Sequence, residues 1–549
     1  MTMKIYFKNT LLTLAATGLL MACSKEELDV KNPNQPTPAS AATEVGVISL
    51  GQGTVYINGL GTSAGIKYYD GVPGGFLTGA LGFHELMGDI IGEEAANQFG
   101  NQIGMPDVVT LDDGTKVLNP SAITTQIALL RTVNVNAQGA SNPLYYEWAY
   151  MYNLNNGMNS VLEIATNTKF SGDAAAQAVK LNTLKAWAYW WKGYAYSRLG
   201  SIYYAALIND KAGTTNGNYV TKEKIIDEAT KNFDLAATAL TALGTGGADY
   251  TRVMEGLIPA FNRVGKGQVP TPAEWVRNIN TMKARNILVN TPVKTMTAAQ
   301  WGQILALTTD GIKAADNVFT GRSNDNGDFI NNQSGNIAAK TFGPTGGTYK
   351  ISERLIQDFS AGDKRLANNF KQSAAPILFN QDRGNSFNTR WTSIDGGAGL
   401  PGVVVLTNLT IGAHEVYLAG TYEENELMKA EANIYTSNVA AGLASIDAVR
   451  KAQGAGLAAL TGLTADAAKE ELRKERRVAL AFRALSFYDA RRLGVITDGR
   501  KDAVVVDKTG KVNTKAVINY NFLDYWDVPD NELAYNPAAT GSAPIKNPK

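Results

Sequence analysis

Residues 181–202 read LNTLKAWAYWWKGYAYSRLGSI. Leu181, Leu184, Ala188, Trp191, Ala195, Leu199 and Ile202 recur at steps of three or four, which is one apolar stripe of a long helix. The next segment repeats the pattern through Ile225, Ala229, Phe233, Ala236 and Leu240, and Trp148, Tyr152, Asn155, Asn159 and Leu162 mark an earlier one. Thr297 with Gln300, and Thr421 with Glu424, carry the capping-box spacing and predict helix starts. Further helices are expected over about 275–289, 301–316, 352–360, 422–437, 443–452 and 466–492.

Between them lie long Gly- and Asn-rich stretches, 51–79, 100–143, 321–349 and 380–412, with short strand-like pieces such as Thr54–Ile57 and Val403–Leu406. The pattern predicts a mostly α chain: tetratricopeptide-like helix hairpins supporting an irregular, loop-rich lobe with short strands.

Composition narrows the function. In 549 residues, 44% are hydrophobic and 18% charged, so a large core is available. Lys plus Arg is 51 against 50 Asp plus Glu, which lacks the footprint of a nucleic-acid binder. One Cys excludes an internal disulfide framework and a Cys-rich metal site, and two His leave little for a His-ligated metal or a general base near neutral pH.

The first residues read as an address. Lys4 and Lys8 precede Leu11–Leu20, a run too short to span a bilayer, followed by Leu20-Met21-Ala22-Cys23. That resembles the lipobox of bacterial lipoproteins, which implies acylation at Cys23 and an anchored body. Ser24-Lys25-Glu26-Glu27 resembles the acidic export signal of surface lipoproteins in the Bacteroidetes. Pro33, Pro36 and Pro38 make an extended tether. The expected division is a signal peptide over 1–22, a lipidated tether over 23–42 and a body over 43–549. Within the body the scaffold covers about 80–320 and 415–495, and the lobe about 320–415 and 495–549.

A set of motifs in the last third carries a resemblance. Asp363-Lys364-Arg365, Ile446–Arg450 with Gly454, Glu475-Arg476-Arg477, Asp489, Arg491 and Arg492, then Val528-Pro529, Glu532 and Asn536-Pro537 occur in this order. In order and spacing they resemble the SusD/RagB family of outer-membrane nutrient-binding lipoproteins. Trp148–Asn156 and Lys185–Leu199 fit the family's first half less specifically. The chain departs where the family has Glu and Leu, then Glu-Gly and Arg, after Glu-Arg-Arg. Here stand Ala479 and Leu480, then Arg483-Ala484 and Ser486, so the ion pairs of that helix are altered. The charged residues read as structural salt bridges rather than catalytic groups. The resemblance implies four helix-hairpin repeats, a glycan- or peptide-binding role on the cell surface, and a partner: a TonB-dependent, SusC-like barrel transporter on which the protein sits as a lid.

Other motifs are weaker. Gly61-Thr62-Ser63-Ala64-Gly65 matches the nucleophile elbow, but Gly71, Pro73, Gly74 and Gly75 preclude the helix it needs, and the same absence removes a dinucleotide site. His84-Glu85 and His414-Glu415 lack the second His of a zinc motif. Asn324–Asp328 has calcium-type spacing without the distal Glu and reads as a solvated turn. No carboxylate pair stands out for glycoside hydrolysis. Neither a catalytic residue, a metal site nor a cofactor is expected.

A sugar ring offers an apolar face to an aromatic side chain and hydroxyls to amides and guanidinium groups. Two clusters have that make-up: Asn97, Gln98, Phe99, Asn101 and Gln102; and Arg383, Asn385, Phe387, Asn388, Arg390 and Trp391. Of these, Phe99, Asn101, Gln102, Asn388, Arg390 and Trp391 are the candidate ligand residues, although Phe99 and Trp391 also read as plugs over the core. Tyr68, Tyr69 and Phe76 are further loop candidates, while Trp187, Trp190 and Trp191 belong to the core. The expected function is glycan capture at the outer membrane and delivery to the transporter. A peptide ligand, a ligand-silent transporter lid and a surface hydrolase remain as alternatives.

Overall fold

The computed structural model describes residues 41–56, 81–93, 99–322, 349–378, 388–408, 410 and 412–549. The labelled helices are α1 (Glu44–Tyr56), α2 (Pro143–Asn167), α3 (Ala174–Ile202), α4 (Lys222–Thr241), α5 (Gly247–Leu257), α6 (Pro272–Val289), α7 (Ala298–Thr309), α8 (Tyr422–Tyr435), α9 (Val439–Ala452), α10 (Ala465–Ala479) and α11 (Ser486–Arg492). Successive helices pack in series: α2 on α3, α3 on α4, α4 on α6, α6 on α7, α7 on α8, and α8 on both α9 and α10. Short links join α2 to α3, α6 to α7 and α8 to α9 as antiparallel hairpins, and the stack is the tetratricopeptide-like scaffold expected from the periodicity. No described helix is long and apolar enough to cross a membrane.

The helix α3 is the spine. Asp173 starts it by accepting from the Ala176 amide (2.9 Å). Its Trp187, Trp190 and Trp191 are buried, as the stripe predicts. At Gly193 a methyl group would stand 2.7 Å from the Phe233 ring, so glycine lets α4 close onto α3. Phe319 enters from the far side. Its ring lies 4.9 Å from Trp190, 5.1 Å from Trp275, 5.3 Å from Trp187 and 5.7 Å from Trp191. Most of these contacts are edge-to-face, each adding about 0.5–1.5 kcal/mol beyond area burial. Phe319 immediately precedes the strand Thr320–Arg322, which pairs with Glu415–Tyr417, so this ring pins the irregular part to the scaffold.

Strands are short and antiparallel. Arg500–Val506, Val512–Asn519, Val108–Thr110 and Lys116–Leu118 lie in that order in one sheet, with Ile518 opposite Val109 and both buried. The sheet joins the early and late parts of the chain. Trp148 does the same when its Nε1 donates to Glu532 (3.0 Å). Smaller ladders pair Ile91–Glu93 with Tyr349–Ile351, and Phe370–Ile377 with Thr389–Ser393.

Five sequence expectations need correction: the helix expected over 352–360 is only Glu353–Ile356, and four others differ as follows. Thr54, Val55 and Tyr56 end a helix, not a strand. Val55 is buried and the Gly51 carbonyl takes the Trp187 Nε1–H (3.1 Å), so packing overrides β-propensity. Val403–Leu406 form no ladder, because side-chain amides replace one: Asn369 Nδ2 donates to the Val404 carbonyl (2.9 Å) and the Leu406 amide donates to Asn369 Oδ1 (2.8 Å). The helix expected over 301–316 stops at Thr309, where the Asn425 amide takes the Thr308 carbonyl (2.9 Å) and Thr281 Oγ1 accepts from the Ile312 amide (3.0 Å). The helix expected over 466–492 breaks after Ala479.

That break has a distant cause. Phe482 and Ala484 take left-handed backbone, φ 62° and 55°. The buried Glu85 carboxylate accepts from the amides of Ala484 (2.6 Å) and Phe482 (3.3 Å) and faces Ser486 Oγ (3.3 Å). Around it run the motif's ion pairs. Arg365 meets Glu475, Arg450 reaches both Glu475 and Glu471 (2.9 Å each), and Asp489 accepts from Arg476 and Arg492 (2.8 Å each). They tie α9, α10 and α11 together, the role of structural salt bridges.

Candidate ligand-binding site

The first cluster begins at Phe99, a half-buried residue with φ 61° packed against the core. It opens the short helix Gly100–Ile103. Asn101 is buried and lines a narrow cavity between that helix and the pair Ile91–Glu93/Tyr349–Ile351. Gln102 Oε1 accepts from Ser121 Oγ (2.9 Å).

From the second cluster, Asn388 lines the same cavity. Sequence-distant members of both clusters are therefore brought together. Asn388 is nevertheless held: its Nδ2 donates to the carbonyls of Asp507 (2.9 Å) and Val506 (3.3 Å). Arg390 grips Glu353 through its backbone amide (2.7 Å), Nε (3.1 Å) and Nη2 (2.7 Å), which raises the guanidinium's pKa. A ligand at Arg390 competes with that carboxylate.

Trp391 lies opposite Gln372 in the strand pair, half-buried against the core. Its buried Nε1–H has no acceptor among the described residues. Asn97, Gln98, Arg383, Asn385, Phe387, Tyr68, Tyr69 and Phe76 lie outside the described residues, as do Cys23, the Gly61–Gly65 motif and Asn324–Asp328.

Sequence reasoning missed a larger cavity of about 410 Å³ beside the strand Glu415–Tyr417. Tyr194, Tyr417, Arg198, Arg285, Arg483 and Gln453 line it. The Arg483 guanidinium stacks on the Tyr417 ring at 4.3 Å and touches Glu423 (3.4 Å). Arg285 forks onto Glu424, a residue whose backbone amide bonds to Thr421 at the start of α8. The Thr421/Glu424 spacing thus gives half a capping box, because the carboxylate turns to Arg285 instead. At Thr297/Gln300 both halves form.

His414 lies on this cavity with its pKa pushed down to about 4, first by burial and then by Arg483 and Arg322. His84 is buried elsewhere, 3.0 Å from Glu147, which also binds Arg198. Burial lowers the His84 pKa against the pull of that carboxylate. Among the described residues neither ring is hydrogen-bonded to a Ser, Thr, Cys or Lys side chain. Among the described residues no group of three or more His, Cys, Asp or Glu is gathered as a metal site. The chemistry on offer is stacking, hydrogen bonding and charge pairing.

No protein-family model and no curated protein matches the sequence. Solved structures do. A SusD-like carbohydrate-binding protein of Bacteroides fragilis is 14% identical, with 91% of this chain and 99% of that chain covered at a TM-score of 0.55. A SusD superfamily protein of Parabacteroides distasonis is 13% identical over 92% and 100% of the two chains, TM-score 0.55. Surface glycan-binding protein A of Bacteroides fluxus is 12% identical over 92% and 98%, TM-score 0.53. At such identities the likeness is one of architecture, and it spans nearly the whole of each chain. Helix hairpins in series, an irregular lobe pinned beside them and the shared course of the backbone give one conclusion: this chain has the SusD-like fold.

Proposed function

We propose that the protein is a non-catalytic, glycan-capturing lipoprotein, anchored through Cys23 at the outer membrane and facing outward, which hands its ligand to a TonB-dependent, SusC-like barrel. The observation that carries the reading is the fold: chains of the same architecture include a carbohydrate-binding protein and a surface glycan-binding protein. The lipobox-like Leu20–Cys23 supports the anchor, since acyl chains hold a soluble body at a membrane. Half-buried Trp391 and Phe99, and the Tyr- and Arg-lined cavity, supply the surfaces a sugar uses. Weak sites suffice for a polymer, because repeated units raise effective concentration.

Retention of the soluble body, lacking Cys23, on immobilised polysaccharides tests the capture. Retention without turnover is expected. Passage of the protein through every polysaccharide column, while it copurifies with a barrel from membranes, would replace capture by a lid role. Release of sugar from the column would make it a hydrolase.

A further inference from the structure

A third cavity, of about 470 Å³, opens between α10, α11 and the start of the strand Arg500–Val506. Three guanidinium groups converge there on one carboxylate. Asp358, 1% exposed, accepts from Arg473 (2.8 Å), Arg477 (2.7 Å) and Arg500 (3.1 Å). Lys474 and Lys501 stand on the same lining.

The other acids of the lining are engaged elsewhere or lie in water. Asp89 is bonded by Arg354 and Tyr520, Asp489 by Arg476 and Arg492, and Glu470 by Arg473. Asp502 is exposed. Asp358 and Glu470 thus face Arg473, Arg477 and Arg500 together, and positive charge is left over.

Of the three guanidinium groups, Arg500 has hydrogens to spare. Arg477 spends Nη1 and Nη2 on the carbonyls of Gly88 (2.6 Å) and Asp89 (2.8 Å). Arg500 donates through Nη2 alone, to Asp358, Gln357 and the Arg354 carbonyl. Its Nε and Nη1 have no acceptor among the described residues. Burial, then the like charges of Arg477 and Arg473, hold its pKa below the ordinary value despite Asp358.

We infer that this cavity binds a sulfate or phosphate group, free or carried by a monosaccharide, with Arg500 as its fork and Lys501 at the mouth. Guanidinium forks match such oxyanions in geometry and charge. The volume falls in the range of small-molecule sites, so it has room for an ion together with a sugar ring. Neither Phe99, Trp391 nor any residue of the Tyr417 cavity lines it, so the inference stands whether or not those capture glycan.

The test follows thermal unfolding of the soluble body with sodium phosphate, sodium sulfate, a monosaccharide sulfate or a monosaccharide phosphate, against sodium chloride at equal ionic strength. The midpoint should rise with ligand concentration above the chloride control. R500Q should weaken the apparent affinity about tenfold or more, as the loss of a charged hydrogen bond does. K501Q, a change at an exposed position, should weaken it about threefold without altering the unliganded midpoint. If R500Q does not fold, K501Q carries the test. A sugar ester that binds more tightly than the bare ion identifies the monosaccharide as the natural carrier, and equal affinity identifies the free ion. No rise over chloride with any of the four, or an equal rise in wild type and both variants, would overturn the inference.

Discussion

The Arg365 guanidinium meets the Glu475 carboxylate at two points, 2.6 and 3.1 Å, and both side chains are buried. The same carboxylate accepts from Arg450, and the same guanidinium from its other edge binds Asp363. Removing one member leaves its partners charged and dry. Glu475→Gln should lower unfolding stability by about 3–5 kcal/mol, read from urea transitions. A loss under about 1 kcal/mol would mean that solvent already screens the pair.

Ala484 stands where the resembled family has glycine, and its φ of 55° explains the family's choice. A Cβ in left-handed backbone costs about 1–2 kcal/mol. Ala484→Gly should therefore stabilise the protein by about 1 kcal/mol after the added chain entropy of glycine is subtracted. Calorimetry would show the midpoint rising, and a fall would mean that the Ala484 methyl packs better than its backbone suffers.

Glu85 holds that same turn, and burial pushes its pKa up to about 7. The unfolded carboxyl loses its proton near 4.5, so between pH 4.5 and 7 the native state carries a proton that the unfolded state has lost. Stability from this group is greatest below 4.5 and falls as pH rises to 7, by a change of the order of 3 kcal/mol. Glu85→Gln keeps an acceptor for the two amides and removes the titration. Its stability should stay level across that window, as followed by denaturant midpoints at several pH values. Glu147 acts in the opposite sense: Arg198 and His84 overcome its burial and bring it down to about 2, so its contribution is complete above 4.5 and disappears as pH falls through 2.

Phe319→Ala should cost about 3–5 kcal/mol, because it empties the space among Trp187, Trp190, Trp191 and Trp275. Tryptophan fluorescence should shift at a denaturant concentration well below that for the parent protein.

Trp391→Ala and Phe99→Ala should each shorten retention on the polysaccharide that binds the parent protein, with unchanged far-ultraviolet dichroism. Unchanged retention in both variants would move capture to the Tyr417 cavity, where Tyr417→Ala and Arg483→Gln would then abolish it.

Local signals carried much of this fold. The stripe from Leu181 to Ile202 gives α3, and Thr297 with Gln300 gives the start of α7, because helix periodicity and caps are written within a few residues. The break at Phe482 and Ala484 was hidden because its stabilising carboxylate lies at Glu85. The loss of a strand at Val403–Leu406 depends on Asn368 and Asn369, whose amides no periodicity rule assigns to that segment. For the site, residue type suggested Asn101 and Asn388 but not their common cavity, which needs the ladder between Ile91–Glu93 and Tyr349–Ile351. Tyr417 and Arg483 meet only through tertiary packing, and nothing in either local sequence announces the stack.

The four-tryptophan socket around Phe319 separates two tasks that loops often have to combine. The ring fastens the chain where it leaves the helix stack, and the ladders of Thr320–Arg322 with Glu415–Tyr417 and of Ile91–Glu93 with Tyr349–Ile351 fasten the residues that come later. Exchanges at exposed positions between these fastenings leave each of them in place, so what the molecule recognises can change while the helix stack keeps its resistance to heat.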